Sequence, residues 1–120
     1  MANQVVWFDL PATDLDRAVR FYSAIMGVQV KKEQHGGSAI GVLPHADTDV
    51  AGCIFTGKDA RPSQDGPLLY FNCQGRLDAA IVAVESNGGK ILTAKHQIGA
   101  YGSRAVVLDS EGNRIALHST

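Results

Sequence analysis

Apolar residues fall into short blocks along this chain, and their spacing changes in a regular order. Residues 5–10 (VVWFDL) are dense in β-branched and aromatic side chains, the composition of a strand, and Pro11 closes the run. From Leu15 the spacing turns helical: Leu15, Ala18, Val19, Tyr22, Ile25 and Met26 form one stripe, and Gly27 stands where a left-handed residue ends a helix. Thr13 lies three residues before Asp16, a spacing at which hydroxyl and carboxylate satisfy free amides at a helix start. Strands are predicted next at 28–33, 38–43 and 50–56, separated by His35-Gly36-Gly37 and by the turn-like residues 44–49.

A polar stretch with two prolines and two glycines, 57–67 (GKDARPSQDGP), reads as a linker. After it the order repeats. Residues 68–73 read as a strand, and 77–87 as a helix with Leu77, Ala80, Ile81 and Val84 on one face, closed by Gly88-Gly89. Strands at 90–94, 103–108 and 114–118 follow. The last two are joined by Asp109-Ser110-Glu111-Gly112-Asn113, a hairpin turn whose Gly and Asn tolerate positive φ. At an offset of roughly sixty residues Leu15-Asp16 meets Leu77-Asp78, Ala18 meets Ala80 and Gly27 meets Gly89. Trp7-Phe8 meets Tyr70-Phe71 one residue off that register. The predicted fold is one α+β domain of two tandem βαβββ modules, their strands in a curved mixed sheet with helices on the outer side. Module one spans about 4–57, the linker 58–66 and module two 67–120. A ferredoxin-like two-layer arrangement is the alternative.

Composition narrows the class of partner. At 120 residues and 45% hydrophobic content the chain suits a single globular domain. A net charge of −1, with Lys and Arg scattered, offers no basic patch for nucleic acid. The apolar runs are too short to cross a membrane, and MANQ leads directly into a strand-like segment, so no membrane partner and a cytoplasmic location are expected. Cys53 and Cys73 sit in apolar strands outside any CxxC pair, which favours reduced core cysteines over a disulfide or a zinc site.

Three segments carry a family likeness. VVWFDLPATDLDRAVRFYSAIMG resembles the opening strand and helix of vicinal oxygen chelate proteins, the group of glyoxalase I, bleomycin resistance proteins and extradiol dioxygenases. LLYFNCQGRLDAAIVAVESNGGKIL is similar to the start of their second module, and LDSEGNRIALHS to their closing hairpin. Short glyoxalase-like proteins related to lactoylglutathione lyase are the nearest likeness. The resemblance implies paired βαβββ modules, often in a homodimer, with a cleft over each sheet. In metal-using members that cleft holds a divalent ion on His, Glu or Gln from the first and last strands, and the ion acts as a Lewis acid. Transferred to this chain, the ligand positions fall on Trp7, within 68–70, near Cys53 and on Ala116. Indole, aliphatic or phenol, and methyl groups do not form a ligand set, and one thiol cannot hold an ion alone. No metal and no other cofactor are therefore expected.

The remaining candidates follow from strand alternation. Side chains two apart share a face, so Asp9 accompanies Trp7 and His118 accompanies Ala116 into the cleft. Asp9 and His118 are the candidate carboxylate–imidazole pair for acid–base catalysis; the alternative is a solvated His118 and an Asp9 at a strand end. Trp7 and Tyr70 are candidate stacking platforms for a ligand, or core residues. Asn72 orients a ligand or caps the following turn. Tyr101 is the contact residue of a glycine-rich flap, 99–102. His35, His45 and His96 read as solvent-facing loop residues. Three functions stay open: a metal-free protein binding a small organic molecule, a glyoxalase-related lyase or isomerase that is metal-free or has an atypical divalent site, and an interaction module without such a ligand.

Overall fold

The two strand–helix–three-strand runs form two separate four-stranded sheets in the computed structural model, which describes residues 3–120. The elements are β1 (Trp7–Pro11), α1 (Leu15–Met26), β2 (Lys31–His35), β3 (Ser38–Val42), β4 (Ala51–Phe55), β5 (Leu69–Asn72), α2 (Leu77–Ser86), β6 (Lys90–Gln97), β7 (Ser103–Leu108) and β8 (Arg114–Ser119). A 3₁₀ turn, Gly99–Tyr101, joins β6 to β7. The first sheet has the order β1-β4-β3-β2 and the second β5-β8-β7-β6, each with one parallel pair at its edge.

The repeat inferred from sequence becomes a repeat of register. Trp7 stands opposite Ala51 and Asp9 opposite Cys53. In the second sheet Tyr70 stands opposite Ala116 and Asn72 opposite His118. Trp7 thus corresponds to Tyr70, Ala51 to Ala116, and Cys53 to His118. The module-one ligand position expected near Cys53 falls on Ala51, two residues earlier, because β-pairing rather than loop length sets the equivalence.

Helix α1 runs as the apolar stripe predicts, but its cap differs. Asp14, not Thr13, accepts the Arg17 amide at 3.0 Å, and Gly27 at φ 70° closes the helix. Thr13 is drawn away by Glu111 of the second module, whose carboxylate accepts its amide at 2.9 Å and its hydroxyl at 3.0 Å. Phe21, off the predicted stripe, is fully buried with Tyr22 and Ile25. The reason is tertiary: α1 packs against α2 as well as against its own sheet, so it has two apolar faces. Phe21 meets the backbone at Gly89, where a Cβ would lie 2.7 Å from the phenyl ring and 2.5 Å from the Leu108 carbonyl oxygen. Only glycine fits there.

One continuous core joins the modules. Phe71 of β5 lies edge-on to Phe8 of β1 at 5.9 Å and against Tyr22 of α1 at 5.4 Å. Beside it sits a buried polar knot. Asp109, 2% exposed, accepts the Tyr22 hydroxyl at 2.5 Å, the amides of Glu111 and Asn113 at 2.8 and 2.9 Å, and the Asn113 side-chain amide at 2.9 Å. Burial first, and then the Asp109 charge, hold the Tyr22 phenol well above its ordinary pKa. Of the two turn residues that tolerate positive φ, Gly112 adopts it at 97° and Asn113 does not. Asn113 instead donates to the Pro11 carbonyl at 2.8 Å, which ties β8 to the end of β1. Reciprocally, the Arg76 guanidinium donates to the Ile25 carbonyl near the end of α1.

Strand β6 extends three residues past its predicted end and shifts register twice against β7, between Ile91 and Thr93 and between Thr93 and His96. His96, expected in a loop, is therefore a strand residue opposite Arg104. Both cysteines are buried free thiols. Among the described residues no helix is long and apolar enough to cross a membrane.

Candidate functional site

Cross-strand register decides which side chains share the face of each sheet turned away from the helices. On the first sheet these include Trp7, Asp9, Ala51 and Cys53; on the second, Tyr70, Asn72, Arg104, Ala116 and His118. The helix-side alternates, such as Leu10, Ile54, Phe71, Val107, Ile115 and Leu117, belong to the core.

On the first face the polar side chains bond to one another. Asp9 accepts the Trp7 indole N–H at 2.7 Å and the Cys53 thiol at 3.3 Å through one carboxylate oxygen. Burial, followed by the hydrogen bond and charge of Asp9, pushes the Cys53 thiol up to about 12, far from nucleophilic reactivity at neutral pH. Trp7 remains 46% exposed at the rim.

The second face holds an open cup of about 550 Å³ lined by Tyr70, Ile98, Tyr101, Arg104 and His118. Arg104 is its centre. Its guanidinium lies 5.7 Å from the Tyr70 ring centroid and donates through Nη1 to the Tyr70 hydroxyl. Nε–H donates to His96 Nε2 at 3.1 Å, while His96 Nδ1 lies 2.9 Å from the Ala94 carbonyl. A carbonyl only accepts, so Nδ1 carries the proton, Nε2 is bare and His96 is neutral. His118 donates through Nε2 to the Tyr101 carbonyl at 2.5 Å, and its ring stands edge-on to Tyr70 at 6.0 Å.

The flap expected at 99–102 is pinned over this cup. The Ile98 amide donates to the Gly102 carbonyl at 2.8 Å, and the Tyr101 amide to the Ile98 carbonyl at 3.2 Å. At Gly102, with φ 103°, a Cβ would fall 2.2 Å from the Ser119 carbonyl oxygen, so the turn seats directly on the end of β8. The Tyr101 ring is left 79% exposed at the mouth.

The sequence candidates therefore separate into different places. Tyr70, Tyr101 and His118 come together in the cup; Trp7 and Asp9 do not join them. No hydrogen bond links Asp9 to His118. Asp9 borders another cavity of about 310 Å³, with Arg61, Asp65 and Arg114 on its walls. The two members of the candidate acid–base pair lie on different sheets. Asn72 serves as a turn cap, accepting the Gln74 amide at 2.9 Å. Arg104 and His96 were missed, although a signal existed: with the hairpin centred on 109–113, Arg104 pairs with His118 and shares its face.

The metal question is one of donor chemistry. The positions equivalent to the resemblance's ligand set hold Trp7, Ala51, Tyr70 and Ala116. An indole, two methyls and a phenol do not fit a divalent ion. Among the described residues, no three His, Cys, Asp or Glu side chains are grouped so as to hold one.

Solved structures share this architecture. A glyoxalase/bleomycin resistance protein from Albidiferax ferrireducens T118 superposes with a TM-score of 0.77 at 18% identity, over 98% of this chain and 99% of that one. The fosfomycin resistance protein FosX from Listeria monocytogenes gives 0.70 at 16% identity, over 100% and 95%. A glyoxalase I variant from Zea mays gives 0.70 at 20% identity over 95% of this chain, which spans 46% of the maize protein. At these identities the likeness is one of fold. No curated protein matches the chain. The model of the Glyoxalase/Bleomycin resistance protein/Dioxygenase superfamily matches residues 4–117, nearly the whole of both modules, and the chain belongs to that family.

Proposed function

We propose that the protein binds a small organic molecule in the cup of the second module and does so without the family's divalent metal. The observation that carries this reading is the convergence of Tyr70, Arg104, His96 and His118, with Ile98 and Tyr101 above them. Apolar walls supply contact area, and a few fixed polar groups supply orientation, the usual division of labour in a ligand site. Tyr70, 48% exposed, offers a ring face and edge to a flat ligand. The donor set at the family's metal positions supports binding by the protein's own side chains alone.

The lyase reading needs an acid and a base around one substrate. Asp9 bonds Trp7 and Cys53 through one oxygen, His118 Nε2 bonds the Tyr101 carbonyl, and the two residues belong to different sheets, so no observation favours it over binding.

A fragment screen by amide NMR on the full chain tests the proposal. Saturable hits are expected to move the resonances of Ile98, Tyr101, Arg104 and His118 together. Elemental analysis of untagged protein, before and after exposure to Zn²⁺, Ni²⁺, Mn²⁺ and Fe²⁺, is expected to find no stoichiometric metal. Fragments that bind only elsewhere would overturn the site, and one tightly held ion per chain would overturn the metal-free reading.

A further inference from the structure

We infer that the ligand of this cup is an anion, a carboxylate on an aromatic or other flat unsaturated body, and that Arg104 is the residue that recognises it. The inference rests on the binding reading above and goes further by naming the ligand's charge.

Three observations converge on it. Arg104 makes two hydrogen bonds, both to neutral acceptors, His96 Nε2 and the Tyr70 hydroxyl. A guanidinium has five N–H groups, so three meet no acceptor among the described residues, and no carboxylate there pairs with its charge. Those two bonds hold the guanidinium in place and leave both Nη2 hydrogens and one on Nη1, donors that can meet a carboxylate end-on. A fixed fork loses less freedom on binding than a mobile surface arginine.

The second observation is the charge of the whole sheet. Strands β5, β6, β7 and β8 contain Lys90, Lys95, Arg104 and Arg114 and no Asp or Glu. Four positive charges against none leave +4 on this sheet, in a chain whose net charge is −1. Lys95 is spoken for by Asp78 of α2 at 3.0 Å, on the helix side. Arg104 sits on the opposite face, in a cup whose lining adds no acid. Arg104 is therefore the one permanently charged side chain of the cup, and it favours an anion there.

The third observation fixes the ligand's body. Arg104 sits at the hydroxyl end of Tyr70 and leaves the ring faces open, with the His118 ring edge-on to the same tyrosine and Ile98 and Tyr101 also lining the cup. A carboxylate on the guanidinium fork brings any attached ring between these flat and apolar surfaces.

Benzoate, benzamide and cyclohexanecarboxylate separate the contributions of charge and ring. Titrated into the 120-residue chain at low salt, benzoate is expected to bind on the order of 1 mM, as its size allows, and to shift the cup resonances. Benzamide, of the same shape without the charge, is expected to bind roughly tenfold more weakly or worse, and cyclohexanecarboxylate a few-fold more weakly. Benzoate binding is expected to weaken as salt rises. Arg104→Met, which keeps an unbranched side chain without the charge, abolishes the preference for benzoate over benzamide, and Arg104→Lys restores part of it. Unchanged dispersion of the amide spectrum shows that both variants are folded.

Equal binding of benzoate and benzamide at the cup overturns the anion assignment and leaves the small-molecule reading standing. Benzoate binding that survives in Arg104→Met, or that ignores salt, overturns the role of Arg104. Absence of any shift at the cup up to about 10 mM benzoate overturns the inference, while the fragment screen decides the binding reading separately.

Discussion

The two modules are built on one plan and furnished in opposite ways. At matching registers the first face carries Trp7, Asp9, Ala51 and Cys53, and the second carries Tyr70, Asn72, Ala116 and His118. In the first, one oxygen of the carboxylate accepts from both the indole and the thiol. In the second, the turn takes Asn72, and the cationic Arg104 keeps unpaired donors beside Tyr70. Strands of the first sheet hold Asp9 and Glu33 against Lys31 and Lys32, a balance of zero, while the second sheet stands at +4. The longer β6 and its pinned 3₁₀ turn also roof only the second face. A duplicated scaffold can thus keep its core in both copies while its two faces carry different side chains. Fold likeness alone does not locate the site.

The largest expected effect tests what the modules share. Asp109→Ala removes the acceptor of four buried donors and is expected to cost about 3–5 kcal/mol, against about 1–2 kcal/mol for Tyr22→Phe. Urea unfolding followed by Trp7 fluorescence and by β7–β8 amide signals should give one coincident transition in the wild type. Two separated transitions would show that the modules have independent cores.

Acid probes the junction next. Burial alone would raise the Glu111 carboxyl, but hydrogen bonds from Arg17, the Asp14 amide, Ser110 and the Thr13 amide outweigh it and hold the group at about 2. Because that value lies below the ordinary 4.5, the stabilisation is complete above about pH 5 and is lost as pH falls from there towards 2. The side chain is 1% exposed, and the loss is expected to reach roughly 2 kcal/mol. Thermal melts between pH 6 and pH 2 should show it in the wild type and much less in Glu111→Gln. The reciprocal Arg76–Ile25 contact has no carboxylate to titrate, so the acid sensitivity belongs to one end of α1 only.

A smaller effect separates the two faces directly. Tyr70→Ala is expected to weaken a cup-binding fragment about tenfold, and Trp7→Ala by less than about twofold, by NMR titration. Equal losses would mean that the ligand spans both faces. Least of all should change at the thiols: in the native protein at about pH 8 neither Cys53, held near 12, nor Cys73, also raised by burial, is expected to react with a thiol reagent within the time that urea-unfolded chain reacts fully.

Local order was legible in the residues themselves. The helix at Leu15–Met26, the eight strands to within a few residues and the sixty-residue repeat all follow from spacing, because side-chain period and turn chemistry act over a few neighbours. The family likeness was legible for the same reason, since it lay in contiguous segments. The site was not. Phe21 is buried by a helix from the other module, and Thr13 is captured by a carboxylate 98 positions away. Arg104 meets its tyrosine across 34 residues, and His96 enters the site only because β6 continues past its expected end. These partnerships depend on strand register and on how the two modules dock. Tertiary structure decided them, because hydrogen bonds and burial act through space on groups that the order of residues leaves far apart.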